Sequence, residues 1–130
     1  MKVLVDTCIW SQVLRHKSPD AELTGKLQEL IRNARVAIIG PIRQELLSRI
    51  PQVKQFEQLK EFLSAFEDIM LRTEHFEKAA EYCNICRRKG IQGSTIDFLI
   101  CAVAFIENLV IFTVDKDFAN YKKYLPLKLL

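Results

Sequence analysis

Five carboxylates in this sequence fall where chemistry can use them. Asp6 closes the apolar run Val3-Leu4-Val5, and Asp115 closes Phe112-Thr113-Val114, with Asp117 two residues further on. Asp97 heads the apolar stretch Phe98-Leu99-Ile100-Cys101-Ala102-Val103, and Glu45 follows Gly40-Pro41 by a helical turn. Each alone has an ordinary explanation. An aspartate ending a strand bonds the next turn's backbone N–H groups, and an acid in a helix's first turn complements the macrodipole. The conjunction is different: desolvation and mutual repulsion oppose ionisation of Asp6, Glu45, Asp97 and Asp115 together at one edge of an apolar core. A hard divalent cation relieves both effects, and an all-oxygen set suits Mg²⁺ or Mn²⁺. No His or Cys completes a zinc set. Carboxylates around such an ion are equipment for phosphodiester hydrolysis, because the metal polarises the phosphate, acidifies the attacking water and stabilises the leaving oxygen.

The elements that must position these acids read as alternating strands and helices. Val3 to Val5, Arg35 to Ile39 and Leu109 to Val114 are short, β-branched-rich runs, apolar apart from Arg35 and Thr113. Weaker strand candidates are Ile69 to Leu71 and Leu127 to Leu130. Between them the spacing predicts helices: one capped by Thr7, one from Ser18-Pro19 to about Asn33, a short one opened by Pro41, and one over 52–67. A further helix is capped by Thr73, carries Phe76, Ala79, Ala80, Cys83 and Cys86 on its inward stripe, and stops at Gly90. The next is capped by Ser94 or Thr95 and turns Ile96, Leu99, Ile100 and Val103 inward. Buried runs between helices predict an α/β fold, a three-layer sandwich whose mostly parallel central sheet is flanked by helices. Ligands bind such sheets at the carboxyl ends of their strands, which is where Asp6 and Asp115 stand.

At 130 residues, with 49% apolar residues and 4 Gly and 4 Pro, the chain reads as one folded domain, residues 1–130, rather than a disordered tract. No apolar stretch approaches the roughly 18 residues a membrane span requires. The start of the sequence lacks a signal peptide's apolar region, so a cytoplasmic location is expected, with Cys8, Cys83, Cys86 and Cys101 kept reduced. The formal charge is +3, from 19 basic and 16 acidic residues. Setting aside the four candidate acids leaves 12 acids against 19 bases, an acidic pocket in a basic molecule. That distribution fits a polyanionic substrate drawn in by its backbone. Lys116, Lys122 and Lys123 are candidates to flank the cleft.

Taken together, Val5-Asp6-Thr7-Cys8-Ile9-Trp10, Glu45, Ile96-Asp97-Phe98-Leu99-Ile100-Cys101-Ala102 and Phe112-Thr113-Val114-Asp115-Lys116-Asp117-Phe118 resemble the PIN-domain ribonucleases. Length and spacing are most similar to the VapC-type toxins of bacterial and archaeal toxin–antitoxin pairs. The resemblance implies a Mg²⁺-dependent endoribonuclease whose acidic cluster is Asp6, Glu45, Asp97 and Asp115. It also implies a supporting role for Asp117, orientation of the site by the Thr113 hydroxyl, and metal ligation by Asp6, Asp97 and Asp115, with Asp6 and Asp97 the most direct ligands. It further implies a homodimer, an inhibitory antitoxin protein, and RNA substrates such as transfer or ribosomal RNA. The sequence departs from the family at Cys8, where Ser or Asn is common, at Ser94-Thr95, where Pro is frequent, and at Glu107-Asn108, where Gly often precedes the last core strand. The rival reading is a catalytically silent module that keeps the fold and binds RNA or protein.

Other features are read as structural. Cys83-x-x-Cys86 lies on a helical stripe and is expected in the core. His16 and His75 lack partners at ligand spacing and are expected at the surface. Arg87-Arg88-Lys89 suit the last turn of a helix, Trp10 is expected to anchor the first helix on the sheet, and phosphate-binding glycine loops are absent. The phenylalanine-rich segment Val53 to Phe66 is expected to contribute part of its apolar stripe to an interface.

Overall fold

Val3, Leu4 and Val5 are fully buried and form the central strand β1 (Val3–Val5). The computed structural model describes residues 1–15 and 17–130; the expectation for His16 lies outside them. β2 (Val36–Ala37) and β3 (Val110–Phe112) pair with β1 on either side, both parallel, in the order β2-β1-β3. Val3 is in register with Val36 on one side and Val110 on the other. Parallel neighbours require crossovers. The chain crosses from β1 to β2 through α1 (Thr7–Arg15) and α2 (Ala21–Arg32). It returns to β3 through α3 (Gly40–Ser48), α4 (Val53–Leu63), α5 (Thr73–Arg88) and α6 (Thr95–Ile106), and α7 (Asp117–Lys122) follows. Among the described residues these seven helices flank the sheet, the α/β sandwich the sequence predicts. None of them is long and apolar enough to cross a membrane.

The helices group by contact. α1 packs on α2 and α3, α3 also meets α4, and α5 lies along α6, which covers β3. Trp10 is fully buried and does more than seat α1 on the sheet. Its ring meets Phe62 of α4 edge-on at 6.4 Å and Phe66 at 5.3 Å. In α6 every side chain from Phe98 to Ala104 is buried, so this stretch of the helix is enclosed on all sides, while Phe105 after it is 49% exposed.

Local chemistry moves several expected boundaries. Asp20, rather than Ser18, caps α2, its Oδ1 accepting the N–H groups of Glu22 and Leu23. Thr7 lies inside α1, and it is Asp6 Oδ1 that accepts the Thr7 N–H at 2.8 Å. Neither weaker strand candidate forms a strand: a single parallel bridge joins Ile38 to Asp68, just before Ile69 to Leu71, and another joins Ile111 to Leu129 within Leu127 to Leu130. Near Asp68 the Arg43 guanidinium donates to Asp68 and to the carbonyls of Leu63 and Phe66, turning the chain at the end of α4. At the other bridge Pro126 has no N–H to donate, and Leu127 N–H folds back to Leu125 O. Asn108, standing where the family often has glycine, adopts φ +55° in the turn into β3, a region asparagine tolerates better than most residues.

α5 corrects two expectations. Its inward face is His75, Ala79, Tyr82 and Cys86: Ala79 and Cys86 are buried as expected, whereas Phe76 and Ala80 are exposed, Cys83 is half-buried, and His75 and Tyr82 turn inward. His75 is fully buried instead of superficial. Its Nδ1 accepts the Arg72 N–H at 2.9 Å, so His75 satisfies the start of the helix that Thr73 was expected to cap. Its Nε2 faces Glu107 Oε2 at 3.5 Å without hydrogen-bond geometry.

Candidate active site

The acids converge on one cleft because three separate elements end at the same edge of the sheet. Asp6 follows β1 directly, and Asp115 stands three residues beyond β3. Glu45 comes from α3, which leaves the β2 edge, and Asp97 sits in the first turn of α6, where Ser94 Oγ accepts the Asp97 N–H at 3.0 Å. Asp6, Glu45, Asp97 and Asp115 all line a cleft of about 740 Å³, together with Thr7, Cys8, Ser11, Gln12, Gln44 and Arg49. Carboxylate oxygens of Asp97, Asp115 and Asp117 come within 4.8 Å of one another, the only group of three or more potential metal-ligating side chains among the described residues.

Asp6 stands beside that trio, more deeply buried and more fully bonded. Thr7 N–H donates to its Oδ1, and the Thr113 hydroxyl donates to its Oδ2 at 2.8 Å. Thr113 Oγ1 also accepts the Asp115 N–H at 3.0 Å, so a single hydroxyl couples the end of β1 to the turn after β3. Asp115 Oδ1 in turn accepts the Asp117 N–H at 2.9 Å, folding that turn back on itself. Cys8, in place of the common Ser or Asn, lies against the same atoms: its Sγ is 3.5 Å from Asp6 Oδ2 and 3.4 Å from Thr113 Oγ1, and it accepts the Val114 N–H.

Burial pushes the Asp6 carboxyl above its ordinary range, against the pull of bonds from Thr113, Thr7 and Cys8, and the Asp97 charge adds to the rise. Asp97 is also raised, first by burial and then by the Asp115 charge, while bonds from Tyr121 and Ser94 oppose the shift. Both charged forms lack a cationic neighbour among these influences, the condition a divalent cation would relieve. The donor set fits such an ion: carboxylates of adjacent elements, all oxygen, with one face open to the cleft.

Glu45 is held differently. The Thr7 hydroxyl donates to its Oε2 at 3.0 Å, and Arg49, one turn later on the same helix side, donates to its Oε1 at 2.6 Å. Arg49 also reaches Ser11 Oγ at 3.1 Å. It is the one cationic side chain among those lining the cleft; Lys116, Lys122 and Lys123 are exposed and do not line it.

Comparison with family models matches the PIN domain over residues 3–124. The chain belongs to the PIN-domain family. No curated protein matches it. Solved structures share the PIN fold across nearly the whole chain. VapBC2 from Rickettsia felis, bound to a DNA fragment from their promoter, is similar at 24% identity and TM-score 0.79, covering 100% of this chain and 98% of that one. FitAcB from Neisseria gonorrhoeae is similar at 19% identity and TM-score 0.76, with 98% and 96% covered. VapBC-1 from nontypeable Haemophilus influenzae is similar at 15% identity and TM-score 0.78, with 100% and 97% covered.

Within this PIN domain, the side chains that sequence reasoning passed over are Arg49, Tyr121 and Thr7. A Glu45–Arg49 spacing of four residues is a legible helix pair. Tyr121 gives no local signal, because its hydroxyl meets Asp97, 24 positions away, at 2.7 Å.

Proposed function

We propose that this PIN domain is a divalent-metal-dependent endoribonuclease, the toxin of a VapC-type toxin–antitoxin pair. The observation that carries the reading is the meeting of Asp97, Asp115 and Asp117 within 4.8 Å, at a cleft that Asp6 and Glu45 also line. Family membership and the VapBC and FitAcB structures with the same fold support it. The acids Asp6, Glu45, Asp97 and Asp115 are assigned as catalytic, with Asp117 and Thr113 supporting them. Asp6, Asp97 and Asp115 would hold the ion, with Asp117, whose carboxylate meets those of Asp97 and Asp115, in support. When bound, Mg²⁺ or Mn²⁺ supplies polarisation of the phosphate, a more acidic attacking water and stabilisation of the leaving oxygen. The chain's own residues do the rest. Thr113 keeps Asp6 and the Asp115 turn in one orientation through its shared hydroxyl. Arg49 offers guanidinium N–H groups to an RNA phosphate along the cleft while steering Glu45, and Glu45 presents a second acceptor for water on the opposite wall.

The basic remainder of the surface suits an RNA backbone, with transfer or ribosomal RNA as the substrate class. A cognate antitoxin is the assigned protein partner, and a homodimer is the assigned assembly. All four cysteines are free thiols, which suits the reducing cytoplasm. The test is cleavage of RNA by the purified protein. EDTA should abolish it, excess Mg²⁺ or Mn²⁺ should restore it, and Asp6→Asn and Asp97→Asn should each remove it while circular dichroism stays unchanged. Full activity in either variant refutes the assignment.

A further inference from the structure

The geometry points to Tyr121 as a positioning residue that holds Asp97 in its metal-binding orientation, with Gly93 supplying the space its hydroxyl needs. This inference rests on the metal-dependent reading above. Asp97 arrives on α6, whereas Asp115 and Asp117 arrive on the turn after β3, so something must fix the first against the other two. α7 is the element that reaches both. Asp117 opens it and Tyr121 follows four residues later, a spacing that places both side chains on one side of the helix. The same six-residue element therefore offers a carboxylate to the acidic trio and a hydroxyl to its neighbour.

The hydroxyl has little freedom. The Tyr121 residue is fully buried, its ring centroid 5.1 Å from Phe98 and 5.2 Å from Phe118. From that clamp the hydroxyl donates to Asp97 Oδ2 at 2.7 Å, a charge-assisted bond that fixes how the carboxylate is turned. Gly93 stands where nothing larger fits. A Cβ there would lie 2.8 Å from Tyr121 Cζ and 3.0 Å from Phe98 Cζ, and closer still to the hydroxyl oxygen. Phe98 and Tyr121 are both buried, and the nearest atom to the added Cβ is the Tyr121 hydroxyl oxygen, so an alanine at Gly93 presses on the group that bonds Asp97. Partners that orient a metal ligand from outside the coordination sphere typically affect metal affinity by about 10–100-fold.

The experiment is direct titration of Mn²⁺ into metal-stripped protein without RNA, counting free Mn²⁺ by electron paramagnetic resonance. Wild type should bind and Asp97→Asn should lose most of that binding. Tyr121→Phe, which keeps the ring packing, should weaken binding about tenfold. Gly93→Ala should weaken it similarly, and the double variant should be no weaker than the worse single one, because both changes break the same hydrogen bond to Asp97. Phe118→Leu, which loosens the aromatic cluster but leaves the hydroxyl, should stay within about twofold of wild type by the same reasoning. Wild-type affinity in Tyr121→Phe overturns the inference and leaves the metal site standing. An equal loss in Phe118→Leu overturns it as well, by making packing the cause. Absence of Mn²⁺ binding in wild type overturns the metal site and this inference with it.

Discussion

The proposed metal binding at the acidic trio carries a consequence for stability that needs no substrate to measure. Asp6 and Asp97 are held above their ordinary pKa range chiefly by burial, so folding costs free energy when both are ionised. The sign follows from linkage. A carboxylate whose pKa is higher folded than unfolded contributes most favourably when protonated. That contribution falls as pH rises from the unfolded value, near 3.9, through the raised folded one, and the penalty is complete only above the folded value. In EDTA at pH 7, Asp97→Asn should therefore melt higher than wild type, and the difference should disappear on acidification through that window. Added Mg²⁺ should reverse the ranking. Ligand at about 100 times its dissociation constant stabilises by about 2.7 kcal/mol. With an unfolding entropy of about 2.1 cal/mol/K per residue, a chain of 130 residues changes Tm by about 10 °C for that energy. Differential scanning fluorimetry with and without Mg²⁺ reads it, with Glu77→Gln, an exposed acid remote in sequence from the trio, as the control. A wild-type Tm unmoved by Mg²⁺ or Mn²⁺ would refute the reasoning, as would an Asp97→Asn shift equal to that of wild type.

Two further outcomes follow from the same geometry. Arg49→Ala should cost less than about 1 kcal/mol of stability, because its ion pair with Glu45 is partly exposed. It should raise the KM for RNA several-fold more than it lowers kcat, as loss of a phosphate contact does; an unchanged KM would remove Arg49 from the substrate path. Phe56→Glu places a charge on the half-buried apolar side of α4, one turn from Val53, which is 78% exposed. Sedimentation velocity should show the mutant shifted toward monomer at concentrations where wild type self-associates, and an unchanged oligomer would count against this face as the contact.

The acids legible in the sequence were those announced by a local transition. Asp6 follows Val3-Leu4-Val5 and Asp115 follows a run of the same kind, while Ser94 and the unbroken apolar stretch after Asp97 mark a capped, enclosed helix. Those signals are short-range, and the helices and parallel strands built from them arrange the edge where the acids meet. What the sequence left obscure depends on partners far along the chain. His75 has no neighbour in sequence that explains its burial; its Nε2 faces Glu107, 32 positions later, across the α5–α6 pair. The inward face of α5 is legible at Ala79 and Cys86, but Phe76 and Ala80, which share their stripe by spacing, are exposed, and the contact with α6 takes His75 and Tyr82 inward instead. Asp117 reads from sequence as an auxiliary acid two residues past Asp115. Only the folding back of that turn, through the bond from Asp117 N–H to Asp115, brings it level with Asp97.

The enclosure of α6 has a genetic corollary. Seven successive side chains, Phe98 to Ala104, face protein on every side, and Asp97 is mounted directly on them. A surface helix can absorb random substitution on its wet face, but this one has none to spare, and any repacking along it tips the carboxylate at its head. Loss-of-function alleles gathered without bias should thus accumulate in this interior segment as readily as at the acids themselves, while neutral drift collects on α2 and the outer side of α5.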